Sequence, residues 1–171
     1  MPDRNKLTFI IGGARSGKSA HAETLVTASP SPWAYIATAQ AYDDEMRERI
    51  AQHRTRRGEG WVTIDAPLDL AGAVDALPAH QPVLIDCLTI WLTNHMLAEH
   101  DLDTECQRLA DLLSRPRGPW FVVSNEVGQG IVPDNALARR FRDAAGRLNQ
   151  QIAAVADKVL LMVAGLPLKV K

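Results

Sequence analysis

The strongest chemical signal in the sequence is a glycine-rich motif near the N-terminus, Gly12-Gly13-Ala14-Arg15-Ser16-Gly17-Lys18-Ser19. It matches, without a mismatch, the phosphate-loop pattern of Gly, four residues, Gly, Lys and Ser or Thr. Glycines let the main chain curl so that its N–H groups point at an anion, and the N-terminus of a following helix adds partial positive charge. Lys18 can then reach the outer phosphates of a nucleotide, and the Ser19 hydroxyl can hold Mg²⁺. The motif predicts a nucleoside triphosphate site.

A second group combines one histidine with several arginines. Arg49, His53, Arg56 and Arg57 are spaced i−4, i, i+3 and i+4 about His53, so on a helix they share one face. Guanidinium groups match phosphate geometry in bidentate fashion, and a neutral imidazole can attack a phosphorus atom. A solvated basic helix end, favoured by the helix dipole, accounts for the same residues. The residues alone leave both interpretations open.

Asp86 is the candidate for a second metal-binding residue. It closes an apolar run of strand length, which is where phosphate-loop enzymes keep a carboxylate for the metal. Mg²⁺ is usually held by few carboxylates together with phosphate oxygens, which favours a pair made of Ser19 and Asp86. The alternative is that Asp86 begins a turn or caps the helix predicted from Thr89.

The elements that must position these residues alternate between strand and helix. Alternating elements of this kind predict an α/β fold, with a mainly parallel sheet covered by helices on both faces and ligands at the carboxyl ends of the strands. We predict strands over 7–11, 33–37, 61–64, 82–86, 120–124 and 158–163, and helices over 19–28, 43–57, 68–76, 89–97, 104–113 and 135–156. The phosphate loop, Thr38, Asp65, Asp86 and the loop that begins at Asn125 all fall at such carboxyl ends, so one crevice can hold them. A strand before the motif and a helix behind it also make a chance match of a glycine-rich turn the weaker interpretation.

Composition limits the classes of function. A chain of 171 residues is expected to form one domain over 1–171, and a net charge of −1 from 19 basic and 20 acidic residues gives no reason to expect a nucleic-acid partner. No apolar stretch approaches the roughly 18 residues of a membrane span, so we expect none. Cys87 and Cys106 form no Cys-x-x-Cys pair, which favours a reducing cytoplasm.

The sequence resembles the bifunctional adenosylcobinamide kinase / adenosylcobinamide-phosphate guanylyltransferase family of cobalamin biosynthesis. The resemblance runs in register from about Leu7 to Lys171, and its most particular parts are the His53-Arg54-x-x-Arg57 element and the Asn125-Glu126-Val127-Gly128 loop. Its other parts are the phosphate loop, Tyr35-Ile36-Ala37-Thr38, Asp43-Asp44-Glu45-Met46, Asp86-Cys87-Leu88-Thr89 and Trp91-Leu92-Thr93-Asn94.

The resemblance implies a RecA-like P-loop NTPase fold and two reactions. The protein would phosphorylate adenosylcobinamide with a nucleoside triphosphate, ATP or GTP, and then transfer GMP from GTP onto adenosylcobinamide phosphate. In the family the second reaction passes through a GMP-histidine, which falls on His53 here. Catalytic roles are therefore expected for His53 and Lys18, with Mg²⁺ at Ser19 and Asp86. A homo-oligomer, a trimer in the family, is expected as well.

The resemblance also implies a set of guanine-nucleotide contacts. These are Gly12, Gly13, Ala14, Arg15, Ser16, Gly17, Lys18, Ser19, Thr38, Arg54, Thr55, Arg56, Arg57, Asp65 and Asp86. The chain departs from the family at two positions, since the family usually has Glu where Asp65 stands and Pro where Gly58 follows the last arginine.

Two other functions account for part of the same sequence. The first is a single-function P-loop kinase for a small molecule, in which the arginines bind phosphates and His53 has no chemical role. The second is a GTP-dependent switch. The sequence lacks the Asn-Lys-x-Asp guanine motif, and its Asp-x-x-Gly match, Asp143 to Gly146, lies inside a predicted helix rather than after a strand.

Overall fold

The computed structural model describes residues 6–171, and that part of the chain contains seven strands and six helices, which alternate except that two helices and, later, two strands follow one another directly. The strands are β1 (Leu7–Gly12), β2 (Trp33–Ala37), β3 (Trp61–Asp65), β4 (Val83–Asp86), β5 (Trp120–Asn125), β6 (Lys158–Val163) and β7 (Leu166–Lys169). The helices are α1 (Lys18–Thr27), α2 (Asp44–Arg56), α3 (Leu70–Asp75), α4 (Leu88–Leu97), α5 (Leu102–Leu113) and α6 (Ala136–Val155). The strands form one sheet in the order β3-β2-β4-β5-β1-β6-β7, in which only β7 is antiparallel to its neighbour.

The predicted α/β architecture is confirmed, and each of the six predicted strands corresponds to an observed one. The predicted helix over 104–113 begins earlier, at Leu102, because the Asp101 carboxylate accepts a hydrogen bond from the Thr104 N–H at 3.0 Å and caps the helix there. Strand β7 is absent from the prediction. It is short, all its residues are exposed, and it contains Pro167, so neither burial alternation nor composition marks it as a strand.

Apolar residues cover both faces of the sheet. Along β1, Leu7 and Phe9 point into one buried cluster, and Ile10 points into the other, as the two-residue period of a strand requires. The first cluster packs against helices α3, α4, α5 and α6, and the second packs against α1. Burial on both faces is what an almost wholly parallel sheet needs.

The carboxyl ends of the parallel strands meet at one edge of the sheet. Gly12 is paired in register with Asn125 in β5, and Ala37 lies between Asp65 in β3 and Asp86 in β4. The predicted crevice is therefore built by the register of five neighbouring strands. Within residues 6–171, no helix combines the length and the hydropathy needed to cross a membrane.

Candidate active site

The phosphate loop leaves β1 near the middle of the sheet and is shaped by close backbone packing. A Cβ atom on Gly12 would lie 2.7 Å from Ser16 Oγ and 2.8 Å from the Met162 carbonyl oxygen. Gly17 has φ of 93°, a left-handed conformation that glycine adopts without strain, and it is the N-cap of α1. The Gly165 N–H, in the turn between β6 and β7, donates to the Ser16 carbonyl at 2.9 Å. The loop is thus held by its own glycines and by the neighbouring hairpin.

Lys18 is buried at the start of α1, with 6% of its surface exposed. Its Nζ donates to the Gly13 carbonyl and, at 3.4 Å, to Ser16 Oγ, so the ammonium group lies inside the curl of the loop. Burial lowers the pKa of Lys18, and the nearby Cys87 and Asp86 act in the opposite direction. The predicted lysine therefore lies where outer phosphates would bind.

Two cavities adjoin at the carboxyl edge of the sheet. The phosphate-loop cavity, of about 560 Å³, is lined by residues 14–20 of the loop and α1 and by Arg56 of α2. The helix cavity, of about 260 Å³, is lined by Met46, Ile50 and other residues of α2 together with residues of β2. Seven residues line both cavities: Ser19, Arg49, His53, Asp86, Cys87, Ile90 and Asn125. His53 is therefore brought to the wall of the cavity that holds the phosphate loop of its own chain.

Ser19 and Asp86 fit the oxygen-donor chemistry that Mg²⁺ prefers, because one offers a hydroxyl and the other a carboxylate at the wall of the same cavity. In residues 6–171 no group of three or more His, Cys, Asp or Glu side chains could hold a metal by itself. A metal at this edge would therefore need ligands beyond protein side chains, such as water and phosphate oxygens. Burial raises the pKa of the Cys87 thiol to about 11, and a protonated thiol is a poor metal ligand and a poor nucleophile.

The arginines of α2 have different partners. Arg54 donates through Nη2 to both carboxylate oxygens of Asp65 at 2.9 Å, and Arg56 pairs with Glu23 of α1 at 2.8 Å. Arg57 instead lies against the Tyr35 ring, with Cζ 3.4 Å from the ring centroid. In the described part of the chain, three buried polar atoms here have no hydrogen-bond partner: His53 Nδ1, Arg57 Nε and Arg57 Nη1. Buried polar atoms in native proteins are normally paired with protein or ordered water, so these three are donors or acceptors that a bound ligand could satisfy.

Three of the expected nucleotide contacts outside the phosphate loop line neither of the two cavities. Thr38 is fully buried, and its hydroxyl donates to the Cys87 carbonyl at 2.7 Å while accepting from the Cys87 N–H at 2.9 Å. The Thr55 hydroxyl donates to the Ala51 carbonyl within α2, and Thr55 lines a shallow outer surface depression of that helix. Asp65 is exposed and engaged by Arg54. A nucleotide contact by each of the three stays a prediction.

Several residues that shape the site were not among the predicted ones. Tyr35 donates its hydroxyl hydrogen to Asp86 Oδ2 at 3.1 Å, and Gly165 supports the phosphate loop. Asn149 of α6 donates to the Asn125 carbonyl at 3.1 Å, and Thr89 Oγ1 accepts from the Asn125 N–H at 2.7 Å. Strand β2 is an apolar run buried at its three central positions, so no alternation singles out Tyr35, and contacts between residues so distant in sequence leave no local signal.

The chain matches the cobinamide kinase / cobinamide phosphate guanyltransferase family over residues 8–170. A Pseudomonas aeruginosa protein named bifunctional adenosylcobalamin biosynthesis protein CobP is 47% identical over 166 residues, which cover 95% of this chain and 96% of the relative. A Salmonella typhimurium protein named bifunctional adenosylcobalamin biosynthesis protein CobU is 41% identical over 182 residues, 96% of this chain and 99% of the relative.

Solved structures of low sequence identity share the fold. An ATPase from the type III secretion system of pathogenic bacteria superposes with a TM-score of 0.56 at 12% identity, over 91% of this chain and 50% of the ATPase chain. The ATPase EscN from the type III secretion system of enteropathogenic E. coli gives a TM-score of 0.55 at 12% identity, over 94% of this chain and 43% of that one. These likenesses concern the fold alone, and they confirm the predicted P-loop NTPase architecture.

Proposed function

This chain belongs to the cobinamide kinase / cobinamide phosphate guanyltransferase family and is a bifunctional enzyme, and we propose how its site residues divide the two reactions. In the first, a nucleoside triphosphate phosphorylates the aminopropanol hydroxyl of adenosylcobinamide. In the second, GMP passes from GTP to adenosylcobinamide phosphate, giving adenosylcobinamide-GDP and pyrophosphate. Both reactions are displacements at phosphorus, so one nucleotide site can serve both.

In the kinase reaction the phosphate loop positions the triphosphate and Lys18 neutralises its outer phosphates. The substrate hydroxyl oxygen forms a bond to the γ-phosphorus, the bond from that phosphorus to the bridging oxygen breaks, and the hydroxyl proton is released to solvent. Ser19 and Asp86 would hold Mg²⁺, which supplies charge neutralisation at the phosphates when bound. The protein contributes mainly position and electrostatic stabilisation.

In the guanylyl transfer a ring nitrogen of His53 attacks the α-phosphorus of GTP. A phosphorus–nitrogen bond forms, the α–β bridging bond breaks, and pyrophosphate departs with the electron pair. A phosphate oxygen of adenosylcobinamide phosphate then attacks the same phosphorus, which breaks the phosphorus–nitrogen bond and restores the imidazole. Arg49, Arg56 and Arg57 can neutralise the negative charge that develops on the departing pyrophosphate.

The observation that carries this proposal is the position of His53, which lines the same cavity as the phosphate loop and also lines the helix cavity together with Arg57. A basic helix end with no ligand would leave its charged groups to water. Here Nδ1 of His53 and two nitrogens of Arg57 are buried instead. A single-function kinase would explain the loop and the arginines, but it gives no role to the imidazole at this wall.

Incubation with GTP labelled at the α-phosphate, followed by denaturation, tests the proposal. We expect acid-labile, base-stable label on the protein, as a phosphoramidate requires, and no label on His53→Ala, which should still bind nucleotide. His80→Asn is the matched control, because His80 is an exposed histidine with φ of 69°, a conformation that Asn tolerates. Label on His53→Ala at the parental level would exclude His53 as the nucleophile. An unlabelled parent protein would leave the single-function kinase.

Self-association and a cytoplasmic location belong to the same proposal. Val163, Leu166, Leu168 and Val170, in and beside the β6–β7 hairpin, are 56–71% exposed, and β7 is an edge strand. An apolar edge of this kind is typical of an interface, which supports the oligomer that the resemblance implies. Cys87 and Cys106 are both unpaired and buried, as is usual in a reducing compartment.

A further inference from the structure

Tyr35 connects the two halves of the site. It lies in β2 with 6% of its surface exposed, and the Trp61 ring meets its ring edge-on, with centroids 6.1 Å apart. The hydroxyl donates to Asp86 Oδ2 at 3.1 Å, while the ring face carries the Arg57 guanidinium. One side chain therefore touches both the carboxylate beside the phosphate loop and a cation at the end of α2.

The partner of Arg57 differs in kind from those of its neighbours. Arg54 and Arg56 each pair with a carboxylate, of Asp65 and Glu23 respectively, and in each case the bond comes from the Nη2 group alone. An aromatic ring attracts a guanidinium through its face but forms no hydrogen bond with the N–H groups in the plane. Nε and Nη1 of Arg57 accordingly stay without a partner in the described residues, although both are buried. The Tyr35 ring holds Arg57 in place and leaves its donors available for an anion.

The hydroxyl of Tyr35 makes a separate contact, a hydrogen bond to Asp86. The phenol is the donor in this contact, because the ionised carboxylate of Asp86 can only accept a hydrogen bond. This hydrogen bond fixes one carboxylate oxygen of Asp86 and leaves Oδ1 for other partners. Removing the hydroxyl would free the carboxylate, whereas removing the ring would also release Arg57.

We propose that Tyr35 is a positioning residue with two separable contributions, in which its hydroxyl orients Asp86 for both reactions and its ring presents Arg57 to the pyrophosphate group of GTP. The contribution of the ring should matter for guanylyl transfer, in which pyrophosphate leaves. It should matter little for phosphoryl transfer, because the leaving group there is a nucleoside diphosphate held by the phosphate loop. This inference rests on the proposed function.

Two substitutions separate the contributions. Tyr35→Phe keeps the ring and should lower kcat of both reactions by a similar factor, about 3- to 10-fold, which is the size of a typical net hydrogen bond. Tyr35→Leu also removes the ring and should lower guanylyl transfer by a further factor of about 5 to 30 while the kinase stays at the Tyr35→Phe level. In an Arg57→Ala background the two substitutions should give equal guanylyl-transfer rates.

Phe121→Leu is the matched control, since Phe121 is an aromatic residue of β5 that packs against the same apolar cluster as Tyr35. It should change both reactions alike if loosened packing is the only effect of losing a ring. Equal losses of both activities in Tyr35→Leu would overturn the proposal and leave a structural role. A further loss that persists without Arg57 would overturn it as well.

Binding of pyrophosphate, measured by calorimetry, keeps this inference distinct from the histidine chemistry. Tyr35→Leu should weaken pyrophosphate binding at least about 5-fold more than Tyr35→Phe does, whether or not His53 becomes labelled. If the parent protein shows no labelled histidine but this difference appears, the proposed transfer fails and the role of Tyr35 in holding Arg57 stands. Equal affinities of the two variants would refute that role.

Discussion

The phosphate loop and helix α2 face one another across the same cavity, but they are held in place by different interactions. The loop extends from a central strand, its Lys18 is buried, and the missing side chain of Gly12 allows contact with Met162. Helix α2 has no buried residue. Its contacts include the capping Asp43, the ion pairs of Arg54 and Arg56, whose arginine side chains are about half exposed, and the ring of Tyr35, which packs against Arg57 just after the helix.

Within this one site, the phosphate loop is therefore expected to be rigid and helix α2 to be adaptable. Packing of backbone against backbone has few alternative arrangements, so the loop presents a fixed receptor for phosphates. Exposed ion pairs are each worth about 0–1 kcal/mol, so α2 is held by a small sum of weak terms. The two reactions take place at opposite ends of the triphosphate, at the γ- and the α-phosphorus. We infer that the phosphate loop is fixed by the core, whereas His53 lies on α2, which is less constrained and can adjust to the second reaction.

The largest effect is expected at the loop. Replacing Lys18 by Ala removes the charge at the outer phosphates and should lower kinase turnover by about 10²- to 10³-fold. Steady-state phosphorylation of adenosylcobinamide measures the loss. Lys158→Ala, at an exposed lysine of β6, should keep the parental rate. Parental turnover in Lys18→Ala would show that the phosphate loop is not the fixed receptor for the outer phosphates.

A smaller effect is expected from filling the space beside the loop. A methyl group on Gly12 would meet Ser16 Oγ and the Met162 carbonyl, so Gly12→Ala should lower the free energy of unfolding by about 1–3 kcal/mol. Urea denaturation measures this change. Gly146→Ala is the control, since a Cβ there meets nothing within 4 Å and an added methyl in a helix should stabilise by about 0.5–1 kcal/mol.

If Gly12→Ala unfolds at the same urea concentration as the parent, the loop can yield to accommodate a side chain. The loop would then be no more rigid than α2, and the two regions would not differ in how firmly they are held.

The same contrast explains how much the sequence could predict. The loop motif and its flanking elements are local, so the strand, the turn and the helix were all predicted from consecutive residues. Strands β1 to β6 were likewise predicted from their own consecutive residues, because each is a local apolar run. Strand β7 was not predicted, because Pro167 and full exposure remove the pattern, yet the turn before it supports Ser16 through Gly165.

Partners distant in sequence set the limits of the prediction for the site. The spacing of Arg49, His53 and Arg57 predicts a shared face of α2, and all three line the helix cavity. Spacing cannot tell which arginines are neutralised, since that depends on residues in α1, β2 and β3. Nor can it show that the Thr38 hydroxyl is already engaged by the Cys87 backbone. Side chains at strand ends are easily predicted to be near a ligand, but their existing hydrogen bonds decide which of them are free to bind it.

The smallest effect is expected at the Arg54–Asp65 pair, which tests how firmly α2 is held. Both side chains are at least half exposed, so a double-mutant cycle of Arg54→Ala and Asp65→Ala should give a coupling free energy of about 0.2–1 kcal/mol in urea denaturation. The coupling should nearly vanish at about 1 M salt, where the screening length is about 3 Å. A coupling above about 2 kcal/mol that survives high salt lies outside the range of exposed pairs. Such a result would mean that α2 is anchored as firmly as the loop, and that His53 is carried on a rigid element rather than on an adaptable one.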